Sequence, residues 1–135
     1  MNNQAKIKQF TKTAIGVPFA DRGRSRAGWD CWGLVVALYK ECFGISLPEG
    51  TDYTCADPKA AGDALAEGSN SWVEVEIGKE KPGDVILVRP CHAGLIVERA
   101  KMLNCCEEIG TVIERYDNSI WKRRIIGIYR HAELA

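Results

Sequence analysis

The stretch Gly28-Trp29-Asp30-Cys31-Trp32-Gly33-Leu34-Val35-Val36-Ala37-Leu38-Tyr39-Lys40-Glu41-Cys42-Phe43-Gly44 decides how this chain is read. Cys31, Leu34, Val35, Leu38 and Cys42 fall at offsets 0, 3, 4, 7 and 11, the spacing of one buried face of an α-helix. Gly44 follows as its terminator, because glycine takes the left-handed conformation that closes helices. Asp30 stands where an N-cap belongs. Cys31 is then the first helical residue, where free backbone N–H groups and the macrodipole favour a thiolate. Gly33 leaves the first turn open to close approach by another chain segment or a ligand.

Upstream, Ile7, Phe10 and Ala14 recur at helical spacing until Gly16 and Pro18. Residues 20–30 (ADRGRSRAGWD) read as a polar loop rich in Gly and Arg. Downstream, Ala60, Ala61, Ala64 and Leu65 suggest a weaker helix over about 58–67. From Ser71 the period becomes two: Val73, Val75 and Ile77 alternate with Glu74 and Glu76, as in a half-exposed strand. Val85 to Val88 and Gly94 to Val97 are apolar runs bounded by turns, and strands also fit about 101–104, 111–116 and 125–130. Helices followed by consecutive strands predict an α+β domain over 1–135, with N-terminal helices packed on a C-terminal antiparallel sheet.

The chain has 135 residues, 46% of them hydrophobic, a length that suits one domain with a substantial core. Eighteen Lys and Arg balance eighteen Asp and Glu, so charge gives no argument for nucleic acid or a membrane surface. The apolar runs fall far short of the ~20 residues that span a bilayer, so no membrane insertion is expected. The opening MNNQAKIKQF lacks the apolar segment of a secretory signal, and synthesis in the cytoplasm is the expectation. Six cysteines would then be reduced thiols, and the adjacent Cys105 and Cys106 also argue against a disulfide framework.

Two histidines, His92 and His131, are the candidate bases near neutral pH. His92 opens an apolar strand, whereas His131 lies four residues from the end, where chains fray. Among the cysteines only Cys31 starts a helix; Cys42 sits near the opposite pole, and Cys55, Cys91, Cys105 and Cys106 start none. A thiol at a helix N-terminus with a strand histidine nearby is the papain-like arrangement for acyl transfer. Cys31 is also a common kind of core residue, and His92 a common kind of strand residue satisfying one hydrogen bond. A metal group of Cys91, His92, Cys105 and Cys106 lacks the paired short spacings of zinc modules. The clusters Arg22/Arg24/Arg26 and Lys122/Arg123/Arg124 read as solvated loop charge, or as contacts to an anionic polymer.

The run GWDCWGL (28–34) resembles the nucleophile motif of the NlpC-type cell-wall cysteine peptidases. KPGDVILV (81–88) and HAGLIV (92–97) are similar to that family's Gly-Asp turn and histidine strand, in the same order. The likeness runs from about Gly16 to His131, and DCWGL with the closing IIGIYRH looks most like small phage-encoded, tail-associated members. The resemblance implies a papain-like fold that hydrolyses an amide in peptidoglycan stem peptides, typically after D-γ-glutamate. It implies Cys31 as nucleophile, His92 as base and Asn104 as the residue that orients the ring through Nδ1–H. Many members carry histidine at the place of Asn104, whose other reading is a strand-end turn former. Asp30 matches an acid that helps bind the free amine of the stem peptide, and it equally suits an N-cap. Phe19 stands where tyrosine is usual and Trp32 where serine is common, so the polar clamp on that amine is altered. No metal or organic cofactor is implied; other phage tail proteins are the implied partners. An amidase or transpeptidase on the same pair, or an inactive tail-assembly or wall-binding module, are the alternatives.

Overall fold

The computed structural model describes residues 2–48, 72–89 and 92–135. Helix α1, Asn3–Ala14, begins at Asn2, whose side chain accepts from the Ala5 N–H at 2.8 Å. Its buried face is Ile7, Phe10, Thr11 and Ala14, as the spacing predicts, and Gly16 turns the chain away with φ of 93°. Residues expected to form only a loop make a short ribbon, β1 (Arg24–Ser25) paired with β2 (Gly28–Trp29). Period-two patterning cannot reveal strands of two residues. Helix α2, Cys31–Leu38, then runs on through a π-helical turn, Tyr39–Phe43, to Gly44 at φ of 67°. The extra residue of the π turn lets Tyr39 and Cys42 both remain on the buried side.

The sheet contains β3 (Trp72–Val75), β4 (Val85–Val88), β5 (His92–Glu98), β6 (Lys101–Cys106), β7 (Gly110–Arg115) and β8 (Ile125–His131). All neighbours are antiparallel, in the order β3-β8-β4-β5-β6-β7. A short helix α3, Ser119–Lys122, joins β7 to β8. The α+β architecture with helices on an antiparallel sheet is the one expected. The helix proposed over 58–67, Ser71, Cys55 and Cys91 lie outside the described residues.

Side-chain alternation splits the interior in two. Val85, Ala93, Leu95, Val97, Leu103 and Cys105 face α1 and α2 and pack with Ile7, Phe10, Leu34, Val35 and Leu38. Each Val, Leu, Ile or Phe buried there contributes about 1.5–3 kcal/mol, so this layer holds α2 firmly on β5 and β6. Ile86, Ile96, Met102 and Ile128 form a smaller cluster on the other face with Val75 and Tyr116. The predicted alternation of Val73, Val75 and Ile77 is corrected: only Val75 is buried. A turn at Gly78 (φ 103°) ends β3 early, and among the described residues β3 is an edge strand paired only with β8.

The Gly-Asp turn is locked from both ends. Tyr39 donates its hydroxyl to the Gly83 carbonyl at 2.6 Å. The buried Asp84 carboxylate accepts from the Lys81 N–H and from Arg130 Nε and Nη2, at 2.8–2.9 Å. This tie fixes the start of β4, and through β4 the strand carrying His92. His131 does not fray: it is buried, lies against Trp72 and Tyr39, and its Nδ1 accepts from the Glu133 N–H.

Candidate functional site

The first turn of α2 is built around Asp30. Its Oδ1 accepts from the Gly33 N–H at 2.8 Å and from Arg24 Nη1 at 2.7 Å, and its Oδ2 from the Arg22 N–H at 3.1 Å. Asp30 is therefore an N-cap, and both oxygens are engaged inside the protein. Arg24, read from sequence as solvated loop charge, is corrected to the partner in a buried ion pair. Its Nη1 also donates to the Gly23 carbonyl, which presses against Gly33 so closely that no Cβ fits there. The segment that approaches the glycine is thus the protein's own ribbon. Arg26 is likewise not loose: it meets Glu41 at 2.9 Å and lies over the Phe10 and Trp29 rings.

Cys31 follows the cap as the first residue of α2, 6% exposed, at the positive pole of the helix. Trp32 is buried beside it, with its indole N–H donating to the Pro48 carbonyl at 2.8 Å. Phe19 is half-buried and bridges to Trp29, so the 18–20 segment runs alongside β2. The whole approach to α2 is stitched to the sheet. Trp29 donates Nε1–H to Thr111 Oγ1 at 2.8 Å, and Cys105 Sγ donates to the Trp29 carbonyl at 3.2 Å.

On the sheet face that also carries Gly94 and Met102, β5 and β6 bring His92 and Asn104 together, with His92 Nε2 2.8 Å from Asn104 Oδ1. Asn104 Nδ2 donates to the Val112 carbonyl at 3.3 Å and to Glu114 Oε1 at 3.4 Å. With its amine committed to those acceptors, the fully buried amide must present oxygen to the imidazole. His92 in its neutral form then carries its proton on Nε2 and keeps a lone pair on Nδ1. The contact expected through Nδ1 is corrected to Nε2; which ring nitrogen meets Asn104 is set by the rotation of the imidazole about its side-chain bond, which sequence does not encode. Ala93 and Cys105, the neighbours of His92 and Asn104, pack in the same cluster as Cys31.

Burial pulls the His92 imidazole below its ordinary range, and the Arg124 guanidinium adds to this, while Asn104 and the Glu114 carboxylate pull the other way. At pH 7 the ring is neutral. The other described thiols are held protonated. Burial raises Cys42 to about 11 and, helped by Glu114, Cys106 to about 12, and it also raises Cys105. Cys105 and Cys106 point to opposite faces of β6, which takes Cys105 out of the grouping with His92 and Cys106. Cys105 bonds Trp29 on the helix side and Cys106 bonds Asn104 and Glu114 on the other.

Glu114 and Trp121 escaped the sequence reading, and Arg24 and Arg124 were read only as loop charge or contacts to an anionic polymer. Glu114 reaches Asn104 across the β6–β7 hairpin, a diagonal that only the register of Asn104 opposite Val112 makes predictable. Trp121 on α3 stacks on His92, with ring centres 6.1 Å apart and planes 26° apart. Arg124 sits 4.7 Å over the Trp121 ring. Arg24 completes the cap, as described above. No local pattern marks Trp121 or Arg124, because both reach His92 only through the return of β8 alongside β4.

Comparison with known proteins follows the same outline. The model of the NlpC/P60 family matches residues 16–130. The chain is 25% identical over 135 residues to gamma-DL-glutamyl hydrolase of Bacillus subtilis, covering 95% of this chain and 29% of that protein. It is 24% identical over 119 residues to murein DD-endopeptidase MepS/murein LD-carboxypeptidase of Escherichia coli, covering 81% and 53%. The chain thus spans about half, or less, of the length of these relatives. Among solved structures, an NLP/P60 family lipoprotein-like protein of Staphylococcus aureus superposes with a TM-score of 0.72 at 21% identity, covering 95% of this chain and 41% of that one. RipD of Mycobacterium tuberculosis, described as a non-catalytic NlpC/p60 domain protein adapted to peptidoglycan binding, superposes at 0.64 with 16% identity, covering 98% of each.

Proposed function

This chain belongs to the NlpC/P60 family, and on that premise we propose that it is a cysteine peptidase hydrolysing an amide of peptidoglycan stem peptides, after D-γ-glutamate. The observation that carries the reading is the oriented His92–Asn104 pair on the two strands against which the Cys31 helix packs. His92 Nδ1 takes the Cys31 proton, and the sulfur attacks the scissile carbonyl to form a tetrahedral oxyanion. The Cys31 N–H at the helix start stabilises that oxygen. Collapse expels the amine, protonated by the imidazolium, and leaves a thioester on Cys31. Water, deprotonated by His92, then attacks the thioester, releasing the acid and restoring the thiol. The enzyme acts at the cell wall as part of a phage tail, a placement that rests on the DCWGL and IIGIYRH segments.

Purified peptidoglycan digested with wild type and with Cys31→Ala tests the reading, with products identified by mass spectrometry. The wild type releases stem-peptide fragments ending in D-γ-glutamate, and Cys31→Ala loses at least about 10³-fold in rate. Equal digestion by both would remove the assignment; products cut elsewhere would point to an amidase, and new amide linkages to a transpeptidase. A second reading, wall binding without hydrolysis, is favoured by one observation: Asp30 already spends both carboxylate oxygens on Arg24, Gly33 and Arg22. Sedimentation of intact Cys31 protein with peptidoglycan that it leaves uncut would support that alternative.

A further inference from the structure

Most arginines of the described structure are matched to a carboxylate. Arg22 meets Asp21, Arg24 meets Asp30, Arg26 meets Glu41, Arg115 meets Asp117 and Arg130 meets Asp84. Arg124 differs, for it is held in place without one. Its Nε donates to the Arg89 carbonyl at 2.8 Å, and the Arg89 N–H returns a bond to the Arg124 carbonyl at 2.7 Å. Its guanidinium lies 4.7 Å over the Trp121 ring, which stacks in turn on His92. These contacts fix the group and leave both η nitrogens without an acceptor among the described residues. Arg89, Lys122 and Arg123 around it are exposed and add to the positive field, with the Asp117 carboxylate acting on Lys122.

A guanidinium anchored at Nε and over an aromatic face has lost its side-chain freedom before any ligand arrives, and its two outer N–H edges suit a carboxylate. We propose that Arg124, displayed over Trp121 beside His92, binds a carboxylate that the substrate carries within a few residues of its reacting amide. The inference rests on the peptidase reading for the identity of that substrate. The spacing supports it: a peptide advances about 3.3–3.6 Å per extended residue, and the two ring separations of 6.1 and 4.7 Å set the reach from imidazole to guanidinium. The carboxylate lies along the sheet side of the site. The Asp30 end of α2 carries its own internal cation in Arg24.

Two synthetic γ-linked stem peptides test the proposal, identical except that the carboxylates outside the scissile amide are free in one and converted to primary carboxamides in the other. Wild type is expected to cleave the free-acid peptide with kcat/KM about tenfold or more above the carboxamide, the size of one charge-assisted contact. In Arg124→Gln that preference collapses to within about twofold, mainly through KM, and Arg124→Lys restores part of it. A wild type indifferent to the two peptides, or an Arg124→Gln that keeps the preference, overturns the proposal and leaves the peptidase reading standing. Binding of the same peptides to Cys31→Ala, followed through the Trp121 indole N–H resonance, separates the two ideas further. Selective binding of the free acid with no cleavage by wild type sustains Arg124 and ends the peptidase reading. No selectivity in either experiment ends the carboxylate site.

Discussion

The amide oxygen of Asn104 stands 2.8 Å from Nε2 of His92, and the amide nitrogen of the same side chain faces Val112 and Glu114. One buried amide therefore chooses the tautomer of the imidazole. An Asn104→Ala chain keeps the histidine but frees the ring to rotate and to place its proton on Nδ1. We expect kcat to fall about 10–100-fold with KM little changed, because the loss concerns proton transfer rather than substrate contact. Steady-state kinetics on a stem peptide checks this; an unchanged kcat would show that Trp121 stacking alone orients the ring.

Glu114 acts on His92 from beyond Asn104. Its carboxylate raises the affinity of the ring for a proton, whereas burial and Arg124 lower it. Glu114→Gln removes a negative neighbour and must lower the His92 pKa further; Arg124→Gln removes a positive one and must raise it. The same Glu114→Gln change releases Cys106 from the carboxylate that helps hold it near 12, so that thiol titrates at lower pH. NMR titration of the His92 ring protons and the pH dependence of Cys106 alkylation read the two shifts. Movement of His92 in the same direction in both variants would contradict this electrostatic picture.

The lowered His92 pKa also sets a stability trend. A base whose folded pKa lies below its unfolded value near 6.5 favours the folded state in neutral form. That contribution is complete above about pH 6.5 and is lost as pH falls from there through the folded value. Urea midpoints of wild type should therefore drop more steeply between pH 7 and 5 than those of His92→Gln, which carries no titrating ring there.

How much of this was legible beforehand differs from residue to residue. The α2 stripe and its cap were readable because Asp30, Cys31, Leu34, Val35 and Leu38 obey one local period, and local periods survive in any fold. His92 was readable as a strand residue by the same reasoning. The partners that tune it were not. Glu114 meets Asn104 only through hairpin register, and Trp121 with Arg124 meet His92 only after β8 returns beside β4. The ribbon over 24–29 escaped because two-residue strands carry no pattern, yet it supplies the Arg24 that neutralises Asp30. The edge strand was overextended because Ile77 continues an alternation that the turn at Gly78 interrupts.

The Asp30 cap carries stability as well as position. Asp30→Ala removes the acceptor for the Gly33 N–H and the carboxylate that Arg24 meets at 2.7 Å. A cap is worth about 1 kcal/mol and the lost charge-assisted bond adds to it, so a loss of about 1–3 kcal/mol is expected. Asp30→Asn keeps an acceptor but not the charge and should fall between. Thermal unfolding orders the three proteins; an Asp30→Asn chain as stable as wild type would mean that the ion pair adds nothing beyond the cap.

Gly33→Ala decides between two opposed effects. On helix propensity alone alanine should stabilise α2 by about 1 kcal/mol. The added Cβ, however, would press on the Gly23 carbonyl and come within 2.9 Å of Trp29 Cβ and 3.1 Å of Arg24 Nη1. The first of these is backbone, pinned by the Gly23 N–H bond to Ala20 and by Arg24 itself, so it cannot swing aside as a flexible side chain would. Overpacking of this kind costs about 1–3 kcal/mol and outweighs the propensity gain. The ribbon must move away from the first turn of α2, carrying Arg24 off Asp30. We therefore expect Gly33→Ala to be destabilised in urea and to lose kcat together, because the displaced cap no longer holds Cys31 in place. A Gly33→Ala chain more stable than wild type would show that the ribbon yields freely and does not clamp the helix.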